Sequence, residues 1–285
     1  MKVLVTGGAG KVGRRILPTL AREFDVVVFD LVPPDAPVPY IRGDILDSAA
    51  LHYAMRDCDA VIHLAAIPAP GGVSDDTLMQ INVLGTQRVV EAAALGRPRR
   101  LVMASSESTY GMTFSGGAIP PLYLPIDENH PTRPRDAYGL SKLVGEEICR
   151  RYTRAYGLET ICLRYPWVFW EEHYAGLKDW QQRPGDFRGT MWSYIDVRDL
   201  ARAFVAALKV EEIQHETVLV AARNNYAGRP TLDLVREFYG PEVLVRDPDY
   251  FARCPQASPL ICEKAARILG WHPEHDWRAE TAHTV

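Results

Sequence analysis

Residues 2–15 read KVLVTGGAGKVGRR. Lys2 to Thr6 is an apolar run of strand length, and Gly7, Gly10 and Gly13 follow at once. Ile16, Leu17, Leu20 and Ala21 then recur at helical spacing, so the glycines sit on a strand-to-helix turn. The first glycine permits a tight turn, the second lets a pyrophosphate approach the backbone, and the third lets helix and strand pack closely. The N–H groups that open the helix face the phosphates. Lys11 and Val12, inside the turn, join the predicted cofactor surface.

Working outward, FDVVVFD forms a second strand ending in Asp30, 23 residues after Gly7. A carboxylate there accepts hydrogen bonds from ribose hydroxyls and repels a 2′-phosphate, which favours NAD over NADP. Lys11, Arg14 and Arg15 are the counter-argument, since a base near the turn could help hold that phosphate. A third strand ends in YIRGDILD, where Asp44 and Ile45 flank the adenine and Asp47 suits a helix cap. DAVIHLAA (59–66) reads as a fourth strand whose small end, Leu64 to Ala66, leaves room for a cofactor. A helix over roughly 75–95 carries Asn82. RLVMASSESTYG (100–111) reads as a fifth strand ending in hydroxyls, and LETICLRYPWVF (158–169) as a sixth. Alternation of strand and helix implies a doubly wound parallel α/β sheet, a Rossmann fold, with ligands at the carboxyl ends of its strands. A smaller C-terminal substrate lobe completes it: 1–165 as the NAD-binding domain and 166–285 as the lobe, with 194–220 returning to the first. A final helix is predicted over 258–271, capped at Gly270.

DAYGLSKLVGEE (136–147) places Tyr138 and Lys142 four residues apart, on one face of a helix. Leu143, Val144, Ile148 and Cys149 supply its apolar spacing, with Glu146 and Glu147 expected on the other side. A phenol must lose about three pKa units, ~4 kcal/mol, to act as a base near neutral pH. A neighbouring ammonium supplies part of that.

The bulk numbers restrict the function. With 285 residues, a net charge of −4 and a pI near 6.1, the chain has no basic field for nucleic acid. No apolar run reaches membrane-spanning length, and no signal peptide is expected ahead of a strand that starts at Lys2. The five cysteines show neither CxxC nor metal spacing, so no metal is expected and the thiols read as those of a reduced cytoplasmic protein.

Taken in order, TGGAGKVG, VVVFD, GDILD, HLAA, NVLGTQRVVEAA, ASSESTYG, PIDENHPTRPRDAYGLSK, LRYP, YIDVRDLARAFVAAL and KAARILGWHP resemble the extended short-chain dehydrogenase/reductase family, the NAD-dependent epimerase/dehydratase group. The resemblance covers nearly the whole chain. It implies hydride transfer between a sugar carbon and nicotinamide, with Tyr138 as acid/base, Lys142 as ribose ligand and modulator of the phenol, and Ser106 as the hydroxyl that meets the reacting oxygen. It adds Tyr165 to the cofactor site and implies a homodimer.

Departures from the family narrow the substrate. The amide that usually meets a nucleotide diphosphate after LRY is replaced by Pro166 and Trp167. The arginine usual two residues before YI is Trp192. The chain is similar to uronate dehydrogenases, in which an arginine precedes a tryptophan; Arg188 fits that place loosely. Their polar pair after the serine is Glu107 and Ser108 here, and Glu107 would repel a uronate. It is read instead as a partner of sugar hydroxyls or a second acid/base. The predicted function is an NAD-dependent oxidoreductase acting on a small sugar or sugar acid. A nucleotide-sugar epimerase is the alternative, and an idle NAD-binding scaffold the third reading.

Overall fold

The computed structural model describes residues 1–282, so the last three residues of the expected lobe lie outside it. β1 (Lys2–Thr6), α1 (Gly13–Glu23), β2 (Asp25–Asp30), β3 (Tyr40–Arg42), α2 (Ser48–Met55) and β4 (Ala60–His63) open the chain. α3 (Asp75–Met79) continues through a wide π turn into α4 (Gly85–Leu95), followed by β5 (Arg100–Ala104) and a short β6 (Tyr123–Leu124). Then come α5 (Ala137–Tyr156), β7 (Glu159–Arg164), β8 (Trp167–Phe169), α6 (Glu171–Ala175), α7 (Leu177–Gln182) and β9 (Tyr194–Asp196). α8 (Val197–Lys209), β10 (His215–Leu219), α9 (Thr231–Tyr239), β11 (Leu244–Val245), α10 (Pro248–Arg253), α11 (Glu263–Leu269) and α12 (Trp277–Ala282) complete it.

The main sheet has seven parallel strands in the order β10-β7-β5-β4-β1-β2-β3. Both faces are covered, which is why its strands are apolar throughout rather than alternating. Val3 and Val5 pack with Ile16, Leu20, Phe204 and Leu208 on one face. Leu4 and Phe29 pack with Leu51, Val89 and Tyr152 on the other. A third core gathers Phe169, Trp192, Tyr226 and Phe251 with Tyr110, Leu124 and Ile126, and takes in Tyr194 and Leu219, which were expected in the first domain. No helix among the described residues is long and apolar enough to cross a membrane.

Several boundaries differ from the sequence reading. The sixth strand is two strands: β7 lies in the main sheet, whereas β8 pairs with β9 in a separate ribbon. Pro166 sits at the break, with no N–H to continue a ladder. Strands β4 and β5 stop at His63 and Ala104, so the cofactor-facing residues beyond them are loop and 3₁₀ turn. The helix predicted as final over 258–271 runs only from Glu263 to Leu269 and is followed by α12; Leu260 instead bridges to Ile126.

The buried stripe of α5 also differs. It is Tyr138, Ser141, Lys142, Gly145, Glu146, Cys149 and Tyr152, while Leu143, Val144 and Ile148 are only half-buried. Glu146, expected on the outside, is 1% exposed. Arg164 reaches it with two charge-assisted bonds of 2.8 and 2.6 Å, and Ser105 donates a third of 2.5 Å. A buried carboxylate is tolerable when so paired.

Candidate active site

The glycine turn forms a tight cradle. Gly7 has φ +73, and a Cβ there would stand 2.5 Å from the backbone nitrogen of Ala65. At Gly13 a Cβ would meet the carbonyl oxygens of Gly7 and Gly8 at 2.5 Å. Gly10 donates to the Gly7 carbonyl, whereas the backbone N–H groups of Lys11 and Val12 bond to nothing among the described residues. Two adjacent unpartnered N–H groups fit an anionic oxygen. Asp30 is oriented by the same turn, its Oδ2 accepting from Ala9 N at 3.0 Å and its Oδ1 from Leu31 N at 2.7 Å.

Asn82 shapes the opposite wall. Its amide accepts from Ile67 N and donates to Ile67 O, and also to Ser141 Oγ, so it fixes the loop that carries Leu64, Ala65 and Ala66. These three are partly accessible. Exposed Asp44 closes a local turn by accepting from Leu46 N, whereas Ile45 is buried and packs where Gly85 leaves room.

The reacting groups converge from β5 and α5. Ser106 caps the 3₁₀ turn 107–110 by accepting from Ser108 N at 3.1 Å. Its hydroxyl lies beside the Tyr138 phenol and lowers that group's pKa. Burial outweighs this, and the Tyr138 pKa stands well above the ordinary tyrosine value. The depression expected from Lys142 is thus not present in the protein alone, although its ammonium is 5.6 Å from the Tyr138 ring centroid. Burial lowers Lys142 itself to about 8. Lys142 Nζ donates to Ala104 O at 2.9 Å, one bond for a group with three donors. A buried ammonium with unused donors fits a ribose diol, so this chain's residues fit a dinucleotide. The Tyr165 pKa too is raised, mainly by burial and further by the neighbouring Tyr138.

The predicted substrate residues divide. Glu107 is 6% exposed and is brought to the reacting groups. Ser108 Oγ is buried and has no hydrogen-bond partner among the described residues. Trp167 is half-buried in an aromatic stack, 5.0 Å from Trp180 between centroids. Trp192 is 0% exposed, donates its Nε1 to Pro184 O and packs against Phe238 and Tyr239, so its ring is part of the lobe's core. Arg188 lies at the rim, its Nε donating to Gly116 O at 3.0 Å and its stem packed on Gly117.

Sequence reasoning missed Thr113, whose hydroxyl bonds Glu107, and the lobe phenols Tyr226 and Tyr239. It also missed the Glu146–Arg164 pair. Only Glu146 left a signal: it follows Lys142 by four residues, as Lys142 follows Tyr138, and therefore shares their face.

Residues 3–178 match the NAD dependent epimerase/dehydratase family. The chain is 32% identical to a putative UDP-glucose 4-epimerase of Methanocaldococcus jannaschii, over 96% of this chain and 94% of that one. It is also 32% identical to the L-arabinose 1-dehydrogenase (NAD(P)(+)) of Haloferax volcanii, over 67% and 76%. A short-chain dehydrogenase/reductase superfamily protein from Agrobacterium tumefaciens, solved with bound NAD, superposes with a TM-score of 0.75 at 25% identity, over 99% of this chain and 95% of that one. The chain belongs to the NAD-dependent epimerase/dehydratase family, and its cofactor is NAD.

Proposed function

We propose that this member of the family oxidises a free sugar or sugar acid, one not attached to a nucleotide, through Ser106, Tyr138 and Lys142. The observation that carries this reading is the filling of the usual diphosphate positions by apolar rings. Trp192 is wholly buried and Trp167 is stacked on Trp180. Neither offers the charged donors that a diphosphate's two negative charges need.

In this reading bound NAD supplies the hydride acceptor. The glycine turn holds its phosphates, Asp30 its adenosine ribose, and Lys142 the ribose next to the reacting ring, with Leu64 to Ala66, Asn82 and Tyr165 shaping the wall. Ser106 holds the substrate hydroxyl against Tyr138, and Tyr138 takes the hydroxyl proton as the carbon gives up its hydride. Tyr138 is neutral in the protein alone because burial holds its pKa up. The Lys142 ammonium and the positive charge of the oxidised cofactor lower it when the complex assembles. Glu107, Ser108 and Arg188 border the substrate, and Trp167 and Trp192 hold the lobe around it.

The test is NADH absorbance with purified protein, NAD and a panel of free aldoses, polyols and uronates. NADH from one of them supports the reading. Silence across the panel, with conversion of a UDP-hexose to its epimer, overturns it in favour of an epimerase. That second reading is favoured by the full-length match to the Methanocaldococcus relative.

The proposal extends to a cytoplasmic homodimer. Leu84 and Leu140, on neighbouring helices, are 38% and 42% exposed, and Leu143, Val144 and Ile148 are half-buried beside them. A second copy would cover that stripe. Free thiols at Cys58, Cys149 and Cys162 in the core suit a reducing compartment. Light scattering on a sizing column at micromolar concentration tests the dimer, and a monomer mass rejects it.

A further inference from the structure

Glu107 begins the 3₁₀ turn that Ser106 caps, and its backbone N–H donates to Tyr165 O at 3.2 Å, so its place one residue from Ser106 is held from two sides. Its carboxyl is buried. Oε2 accepts the Thr113 hydroxyl, while Oε1 has no hydrogen-bond partner among the described residues. None of the described residues forms an ion pair with it either. The charged group felt most at Glu107 is Asp136, of like sign. Burial without a counter-ion raises its pKa to about 8. With Oε2 already accepting, Oε1 is the oxygen left free.

The lobe side of this spot is made of phenols. The charge of Glu107 is felt at Tyr226 and Tyr239, as it is at Tyr138. Thr190 donates its only hydroxyl proton to Phe187 O, so in the 2.8 Å contact between Thr190 and Tyr226 it is Tyr226 that donates. Tyr239 donates to Arg188 O at 2.5 Å. Both phenolic protons are therefore committed within the protein; the oxygen of half-buried Tyr239 is left as an acceptor, while Tyr226 is sealed in the core. Arg188, the cation of this rim, has its Nε tied to Gly116 O, and its charge is felt at Tyr239 rather than at Glu107. A hydroxyl, which both donates and accepts, suits such a wall. A carboxylate, which only accepts, finds no free donor on these phenols, and Glu107 offers one only while protonated.

We infer that Glu107, backed by Thr113, is the specificity-determining residue for the sugar ring: Oε1 bonds a ring hydroxyl and selects an uncharged aldose over the corresponding uronate. This rests on the free-sugar dehydrogenase reading and names its substrate class. The neutral acid donates to the hydroxyl and the ionised form accepts from it, so an aldose is bound in both states. A uronate is repelled once Glu107 ionises.

The experiment compares kcat/KM for aldose and uronate pairs (glucose with glucuronate, galactose with galacturonate, mannose with mannuronate) from pH 6 to 9.5, with arabinose and xylose alongside. The wild-type protein should favour the aldose once Glu107 ionises, by about tenfold or more at pH 9. The ratio should rise about tenfold per pH unit above the Glu107 pKa, as the uronate loses ground. Glu107→Gln should flatten that rise. Thr113→Val removes the bond that favours the anion, and should move the rise to higher pH. A ratio that is flat with pH in the wild type, or a uronate used as well as its aldose, overturns the proposal while leaving the dehydrogenase reading intact. So does a Glu107→Gln protein with the wild-type pH profile, or a Thr113→Val profile that stays in place. No NADH from any free sugar, with epimerisation of a UDP-hexose, defeats the underlying reading and the proposal with it.

Discussion

The two walls of the cleft are built from different materials. On the sheet side, polar groups are buried with defined partners: Lys142 on Ala104 O, Ser106 on Ser108 N, and Glu146 on Arg164 and Ser105. On the lobe side, phenols and indoles pack on one another, and Tyr226 and Tyr239 spend their protons within the protein. In the proposed function the sheet side carries the chemistry, a proton and a hydride leaving together, and the lobe side selects the molecule presented to it. Substitutions on the first wall should therefore lower turnover for every substrate, and substitutions on the second should change the ranking among substrates.

The sharpest way to break that division is Tyr138→Phe. It should lower kcat by roughly 10²–10⁴-fold for every sugar, the usual worth of a general base. Binding of NAD, followed by isothermal titration, should persist. A variant that loses only some substrates would place Tyr138 on the selective wall instead.

Glu146→Ala leaves the Arg164 guanidinium buried and uncompensated. It should cost about 3–5 kcal/mol of stability in urea unfolding, since removing one partner of a buried pair is worth that much. A loss below ~1 kcal/mol would show the pair to be solvated.

Glu107 links the two walls, and its raised pKa has a stability sign. The folded state holds this proton up to about pH 8, whereas an ordinary glutamate releases it near 4.5. The stability this contributes is complete below about 4.5 and is lost as pH rises through about 8. Glu107→Gln should thus gain on the wild type between pH 5 and pH 9, by a few kcal/mol at most at ~1.4 per unit. Melting temperatures of both proteins across that range would settle it, and parallel curves would contradict it.

The smallest expected effect is Asp30→Ser, which removes the charge facing a 2′-phosphate. The ratio of kcat/KM for NAD over NADP should fall about 10–100-fold, ~1.4–2.8 kcal/mol. An unchanged ratio would shift the source of cofactor choice to Lys11, Arg14 and Arg15.

Much of the sheet wall was legible in the chain because its parts are neighbours in sequence. A glycine turn, an aspartate closing the next strand and a Tyr–Lys pair one helical turn apart are short-range patterns, and each implies its local geometry. Pro166 breaks the reading of 158–169 as one strand, and the split appears only with the pairing of β8 to β9. Glu146 was read outward because charge is usually solvated. Its burial depends on Arg164, 18 residues away on a strand whose position in the sheet no local pattern states. The lobe wall was the least legible. Aromatic residues fill cores and line sites alike, so the composition that singled out Trp167 and Trp192 could not tell a stacked ring from an open face.

The sequence alone determined the α/β alternation, the dinucleotide turn, the acidic end of the second strand and the face shared by Tyr138 and Lys142. All of these follow from the periods of helix and strand and from the freedom of glycine. The tertiary structure alone decided that Glu146 is a core residue, that Trp192 is sealed, and that Glu107 is buried with one oxygen taken by Thr113. Those outcomes depend on desolvation, and desolvation is set by which distant segments close over a side chain.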